Sequence, residues 1–247
     1  MTHYYSEVLS DSTETSTDDA FLAAPTWATA VQFDSPTDFE WAFAAKIRDI
    51  ARYDASASTY SRAEMGNVTD NIESGGVLTL DAFEGGADFL YIGAATQFKS
   101  IYIDIGAVNG TSSVGTLKYR KTNGTWGDLS ETDGTISSGK TMAQDGAMTF
   151  TIPADWDSIE SADGLDDLQN GLFYVRWEAA TTLDAEVEVA QIILGSRTVG
   201  YADINDGPGV GASPGPIIPF DTQKVGGILV KGAAGTPLVQ TTWYGRR

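Results

Sequence analysis

The chain has no cysteine and a single histidine, His3. The first absence excludes disulfides and thiolate chemistry. The second leaves no basis for a Ser-His-Asp triad or a histidine-rich zinc centre. Basic residues are scarce: 15 Lys and Arg stand against 34 Asp and Glu, a formal net charge of −19 over 247 residues. A protein that tracks phosphates needs a basic face, so nucleic acid is not an expected partner. No apolar run approaches the roughly 18 residues of a membrane-spanning helix, so no membrane is expected either. The opening Met1-Thr2-His3-Tyr4-Tyr5-Ser6-Glu7 lacks the basic region and apolar stretch of a secretory signal, which points to synthesis in the cytoplasm.

What is present can fill a core. Hydrophobic residues make up 42% of the chain and aromatics 11%, enough for one large β domain with appendages. The acids are spread along the chain and Lys is sparse. Such a surface is tolerable where salt is strongly screening, since the Debye length falls to about 3 Å at 1 M. A halophilic source is the reading this favours.

From 88 to 194 the chain alternates short apolar runs with turns of Gly, Asn, Asp and Thr. Phe173, Val175 and Trp177 fall on one face of an extended segment, and Tyr174, Arg176 and Glu178 on the other. Leu117 and Tyr119 oppose Lys118 and Arg120 in the same way. Alternation of period two is the pattern of a sheet with one dry face and one wet face. Several such strands with regular turn signals predict an antiparallel β-sandwich, jelly-roll-like, over 76–195.

The flanks read differently. Residues 1–75 form an N-terminal arm and a helix. The stretch from Ser10 to Asp19 has almost nothing to bury, so it needs a docking surface on its own domain or on a neighbour. Phe39, Phe43, Ile47 and Ile50 recur at helical spacing after the caps Thr37 and Asp38, which predicts a helix over about 38–53. Residues 196–219, with Gly207-Pro208-Gly209 and Pro214-Gly215-Pro216, form a linker, because Pro and Gly at this density hold no ladder. Residues 220–247 read as a β-hairpin. Two strands are marginal alone, so it would pack on the sandwich or on another subunit, and a homo-oligomer is expected.

Candidate sites are few. Asp155, Asp157 and Asp163 lie in the densest acidic segment. Its first reading is a solvated surface; as a cation site for calcium or magnesium these are the candidate ligands, and as a glycosidase pair Asp155 and Asp157 are the candidate carboxylates. Asp203-Ile204-Asn205-Asp206-Gly207 opens like a calcium loop but has Pro214 where the twelfth-position Glu belongs. Gly134 to Thr141 satisfies the bare P-loop spacing but no helix pattern follows, so it reads as a loop between strands. Trp126, Trp156 and Tyr174 are the candidate sugar-stacking rings, against the competing role of core or subunit anchors. No organic cofactor and no catalytic residue is assigned.

A family resemblance enters through the order of short motifs. They are Asp88-Phe89-Leu90-Tyr91-Ile92-Gly93, the strand from Phe98 through Tyr102 to Asp104, Asn123-Gly124-Thr125-Trp126, Thr132-Asp133-Gly134-Thr135, Gln144-Asp145-Gly146, Pro153-Ala154-Asp155-Trp156 and Tyr174-Val175-Arg176. Together they resemble a β-sandwich module of structural proteins of tailed viruses of bacteria and archaea, over about 76–194. The resemblance implies a non-enzymatic virion protein, and with the acidity a haloarchaeal host. Its expected place is the particle exterior, as capsid decoration, turret or neck, in contact with copies of itself and other virion proteins. A tail or baseplate component, or a receptor- or glycan-binding spike, is the alternative.

The charge leads to a first expectation. Dilution from molar to millimolar salt should lower the melting temperature, because carboxylate repulsion is no longer screened. A melting temperature that holds or rises on dilution would contradict the salt-adapted reading.

Overall fold

The computed structural model describes residues 7–14, 20–24, 27–34, 39–62, 78–160, 165, 167–196, 202–203, 218–232 and 238–245. They form two compact units, one from residues 45–197 and one from 1–44 with 198–247. Among the described residues there are strands and no helix.

The larger unit is a two-layered sandwich. One sheet runs in the order β11 (Trp126–Asp128), β10 (Gly115–Arg120), β14 (Phe173–Ala179), β8 (Phe89–Ala94), β5 (Ile47–Asp54), β6 (Thr59–Arg62). The other takes β12 (Thr132–Asp133), β13 (Gly146–Thr149), β9 (Phe98–Ala107) and β15 (Glu188–Ser196), with β7 (Leu78–Thr79) on β15. Every pairing within these sheets is antiparallel. The expected alternation holds: Leu117, Tyr119, Val175 and Trp177 join Ile101, Ile103, Met148 and Ile192 of the facing sheet in one core. Burying each such side chain is worth about 1.5–3 kcal/mol, which drives the two layers together.

The turns are held by short polar side chains, as their composition predicted. Asn123 Oδ1 accepts from the Thr125 amide at 3.1 Å and its hydroxyl at 2.7 Å, and Gly124 takes φ 80°. At Thr132-Asp133-Gly134-Thr135, Asp133 accepts from the Thr135 amide at 2.8 Å and hydroxyl at 2.6 Å. These Asx turns give the backbone donors local partners that a strand would otherwise supply.

The smaller unit carries a four-stranded sheet, β1 (Glu7–Glu14), β19 (Leu238–Gly245), β3 (Ala28–Asp34), β17 (Ile218–Pro219), in that order. A second set runs β4 (Phe39–Ala45), β18 (Val225–Gly232), β2 (Ala20–Ala23), with β16 (Ala202–Asp203) against the start of β4. Leu22, Val31, Phe33, Trp41, Ile228 and Trp243 form its core.

Three expectations need correction. The N-terminal helix at 38–53 is replaced by β4 and β5. Trp41 and Phe43 alternate and pack with Phe33 at ring distances of 5.0 and 5.1 Å along the row. The helical spacing of Ile47 and Ile50 comes from a bulge: Ile47 faces Ala94 and Asp49 faces Gly93, so Arg48 is an extra residue. A bulge turns two residues three apart onto the same face, which imitates a helical period. Second, the C-terminal strands are not a hairpin. β18 lies between β4 and β2, and β19 between β1 and β3, so each has two neighbours where a hairpin would leave one edge of each unpaired. Third, the segment 196–219 does hold ladder pairs, while the arm finds one of its two expected docking surfaces, on its own chain. Glu7 to Glu14 pair with Gly245 to Leu238 along their whole length, and the described ends of 196–219 pair with β4 and β3. Ladder hydrogen bonds to the chain's own strand supply the docking that polar side chains cannot. The two units divide at 45 and 197.

Within the six-stranded sheet one contact fixes the outer face. Asp49, Gly93 and Tyr174 lie opposite one another on β5, β8 and β14. The Tyr174 ring lies over Gly93, where a Cβ would stand 2.6 Å from it. Its hydroxyl donates to Asp49 Oδ2 at 2.6 Å, and Arg62 Nε donates to Asp49 Oδ1 at 3.0 Å. Burial, and then the bond to Asp49, push the Tyr174 phenol far above its ordinary range, so it keeps its proton. Tyr174→Phe should cost about 1–3 kcal/mol, because a buried carboxylate loses a donor. Gly93→Ala should cost about as much by overpacking. Thermal or denaturant unfolding measures both, and a loss near zero for both would show that the contact does not organise the sheet.

Candidate functional site

The outer face of the six-stranded sheet presents its side chains in rows set by strand register. Tyr60, Tyr53 and Phe89 are directly opposed across β6, β5 and β8. Next to them run Ala51, Tyr91, Arg176, Lys118 and Asp128, across five strands. The third row is Asp49, Gly93 and Tyr174, and farther along the same face Arg120 opposes Trp126. Opposed side chains stand within contact of each other, so strand register gathers these rings and cations into one array.

Aromatic rings dominate the array. Tyr53 lies 5.0 Å from Tyr60 and 5.9 Å from Phe89, the latter nearly parallel at 14°. Tyr91 lies 5.7 Å from Trp126 and 5.9 Å from Tyr60. The Arg176 guanidinium sits between two rings, 4.2 Å from Phe89 and 4.9 Å from Trp126, and Arg120 stands 5.9 Å from Trp126. A guanidinium over a ring face is attracted by its quadrupole, and a mostly buried one gains about 2 kcal/mol. Arg176 donates to Glu178 at 3.4 Å. Lys118 forms an ion pair with the same Glu178. Burial raises both Tyr60 and Tyr91 above the ordinary phenol range, so both stay protonated donors.

One end of this face is covered. Ile159, Leu168 and Leu172 pack on Tyr174 and Ala51. The Gln169 amide donates to the Tyr174 hydroxyl at 3.0 Å, and Arg62 donates to the Asp167 carbonyl. The half-buried rings Tyr53, Tyr60, Phe89 and Trp126 lie at the margin of this cluster and retain exposed surface.

The residues singled out in the sequence separate. Trp126 belongs to the open face. Trp156 does not: it is 3% exposed, in the core, with Phe98 at 5.2 Å and Tyr119 at 6.2 Å. Tyr174 is fully buried, so neither ring has a face for a sugar. Asp155 accepts from the Tyr119 hydroxyl at 2.8 Å, and Asp157 accepts from the Ser158 amide at 2.9 Å. Asp163 lies outside the described residues. Among the described residues no three carboxylate or imidazole groups converge as a cation site. In the P-loop look-alike, Thr141 is buried and donates to Asp133 at 2.8 Å, and Ser137 and Lys140 close a tight turn with φ 52° and 75° at Ser138 and Gly139. Asp203 lies in β16 opposite Glu40.

Two features were missed. The Arg176 sandwich was half legible, because Arg176 alternates with the core residues and the Asn123-Gly124 turn returns Trp126 opposite Arg120. The contact across β10 carried no sequence signal. The second is a carboxyl pair, Asp104 and Asp145, in which Asp145 accepts from the Ile105 amide at 2.9 Å. Burial, and then Asp145, raise Asp104 above the ordinary carboxyl range.

A carboxyl raised in the folded state holds a proton that the unfolded chain has released, so stability falls as pH rises through that interval and stays lower above it. Asp104→Asn should therefore melt higher than the parent chain at pH 7, with the advantage shrinking below about pH 4, near the ordinary Asp value. Equal melting of the two at neutral pH would show that the pair carries no such penalty.

No protein-family model matches the chain, and no curated protein shows significant similarity to it.

Proposed function

We propose that the chain is a non-enzymatic structural protein of a virus particle, working by surface contact. The observation that carries this is the outer face of the six-stranded sheet. Its rings and cations stand on paired strands, braced by the Tyr174 contact. Rigid strands are suited to presenting a contact surface, since little side-chain freedom is lost on association. Aromatic and Arg residues are the types enriched where protein contacts concentrate their energy.

The motif order over 76–194 supplies the particle context: a jelly-roll-like module of a tailed virus, on the exterior as capsid decoration, turret or neck. The charge of −19 fits a salt-adapted host. Its partners are then copies of itself and other virion proteins. The spike reading, in which the face meets a receptor or glycan, is favoured by the one observation that Trp126 keeps an exposed ring margin among cations.

Mass spectrometry of purified particles tests the assembly reading. The chain is expected in them at a fixed copy number. A number matching the capsid lattice marks decoration, and one matching a single vertex marks turret, neck or tail. Absence from particles that carry all their other components would overturn it.

A further inference from the structure

We infer that Asn123 is a site of self-modification: in the folded chain it loses its side-chain nitrogen and becomes aspartate or isoaspartate, while the fold protects Asn109 and Asn170, which are also followed by glycine. The inference stands apart from the assembly reading.

The sequence holds three Asn-Gly pairs, Asn109-Gly110, Asn123-Gly124 and Asn170-Gly171. In such a pair the glycine amide nitrogen can attack the asparagine Cγ, because the glycine has no Cβ to obstruct the approach. The new N–C bond closes a succinimide ring, the bond from Cγ to Nδ2 breaks, and the nitrogen leaves as ammonia. The attacking nitrogen gives its proton to water or hydroxide, and the leaving nitrogen takes one up. Water then opens the ring at either carbonyl, giving aspartate or isoaspartate. No other reactant is needed. The dipeptides are identical, so the fold decides which of them reaches the ring-closing geometry.

Asn109 is held on several sides. It is 1% exposed. Its Nδ2 donates to the Thr111 and Thr141 carbonyls at 2.9 and 3.0 Å, and its Oδ1 accepts from the Thr111 and Asp184 amides at 3.0 and 3.2 Å. Its own amide donates to the Met142 carbonyl at 2.8 Å. Asn170 is exposed, but the nitrogen that must attack is fixed at long range. The Gly171 amide donates to the Ile159 carbonyl at 2.7 Å, and the Ile159 amide donates to the Leu172 carbonyl at 2.9 Å. Ile159, Leu168 and Leu172 are packed on Tyr174, so freeing Gly171 means lifting that roof.

Asn123 is exposed and is restrained by bonds within its own turn. Its Oδ1 accepts from Thr125. The Gly124 amide donates to the Lys121 carbonyl at 2.9 Å, and the Lys121 amide donates to the Thr125 carbonyl at 2.9 Å. Beyond the turn, β11 adds 3 residues at the edge of the sheet. Opening a short edge hairpin costs least, because few buried contacts and ladder bonds are lost with it. The reaction leaves a carboxylate at the tip of the β10–β11 hairpin. Isoaspartate also lengthens the main chain there, in the turn that sets Trp126 opposite Arg120.

Peptide mass spectrometry of the full chain tests this, with conversion read at each pair as the replacement of an amide by a carboxyl. One sample is aged folded, in molar salt at mildly alkaline pH, and another is aged in denaturant. In denaturant the pairs should convert at similar rates. In the folded chain Asn123 should convert at least about tenfold faster than either of the others, since each tenfold of protection needs only one modest increment of opening free energy. Asn123→Gln should abolish the fast conversion and leave Asn109 and Asn170 unchanged. Asn109 or Asn170 keeping pace with Asn123 in the folded chain would overturn the inference. So would the same ratio of rates in denaturant, which would assign the difference to sequence neighbours and not to the fold.

Discussion

The Tyr174 hydroxyl reaches across the flat of β8 to a buried carboxylate on β5, and it can do so only because position 93 has no side chain. A glycine in a central strand normally weakens it, by entropy and by the missing contact surface. Here the ring from the neighbouring strand fills the gap and shields the backbone, and its hydroxyl finds a strong acceptor. Three central strands are thereby joined on their outer side as well as through their ladders. The same hydroxyl accepts from Gln169, and Arg62, which completes the Asp49 site, also holds the Asp167 carbonyl. One buried polar cluster therefore braces the sheet and ties down the 167–172 segment that roofs its end. The half-exposed rings begin where that roof stops.

Charge acts on two scales. Over the whole chain, 34 acids against 15 bases favour solubility in salt and disfavour polyanions. On the six-stranded sheet, cations gather among rings, where a guanidinium contributes more than in water because aromatic walls exclude solvent. The buried pair of Arg52 and Asp88 shows the contrasting use of a cation: Asp88 accepts from Arg52 at 3.2 Å and from the Ala55 and Glu84 amides at 2.9 and 3.0 Å, closing loops. Every acceptor there is used internally.

Much of the larger unit was legible in its residues. The alternation in Phe173 to Glu178 and in Leu117 to Arg120 put the right side chains inward, because a half-buried sheet leaves a period of two. The Asn123-Gly124 and Asp133-Gly134 turns were legible because Asx side chains and positive φ have local causes. The stretch 38–53 was misread. A strand, a break at Lys46 and a bulge at Arg48 together place apolar residues at spacings that a helix would also give. Trp156 was misjudged as a possible surface ring because a tryptophan in an acidic loop looks exposed; Phe98, Tyr119, Phe150 and Phe173 close around it.

The terminal segments mark the division most plainly. Their composition allowed strands at 225–232 and 238–245, since Val, Ile, Leu and Trp suit a pleated surface. It could not say that these neighbours in sequence would part, one to β2 and β4, the other to β1 and β3. Residues by themselves determined which stretches extend, which faces turn from water and where the chain reverses, because those follow from side chains a few positions apart. Which strand lies beside which, that Trp126 leans across β10 to Arg176, and that Gly93 makes room for Tyr174 were decided only in the folded chain. Such pairings join residues tens of positions apart, and their energy exists only once the intervening chain has closed.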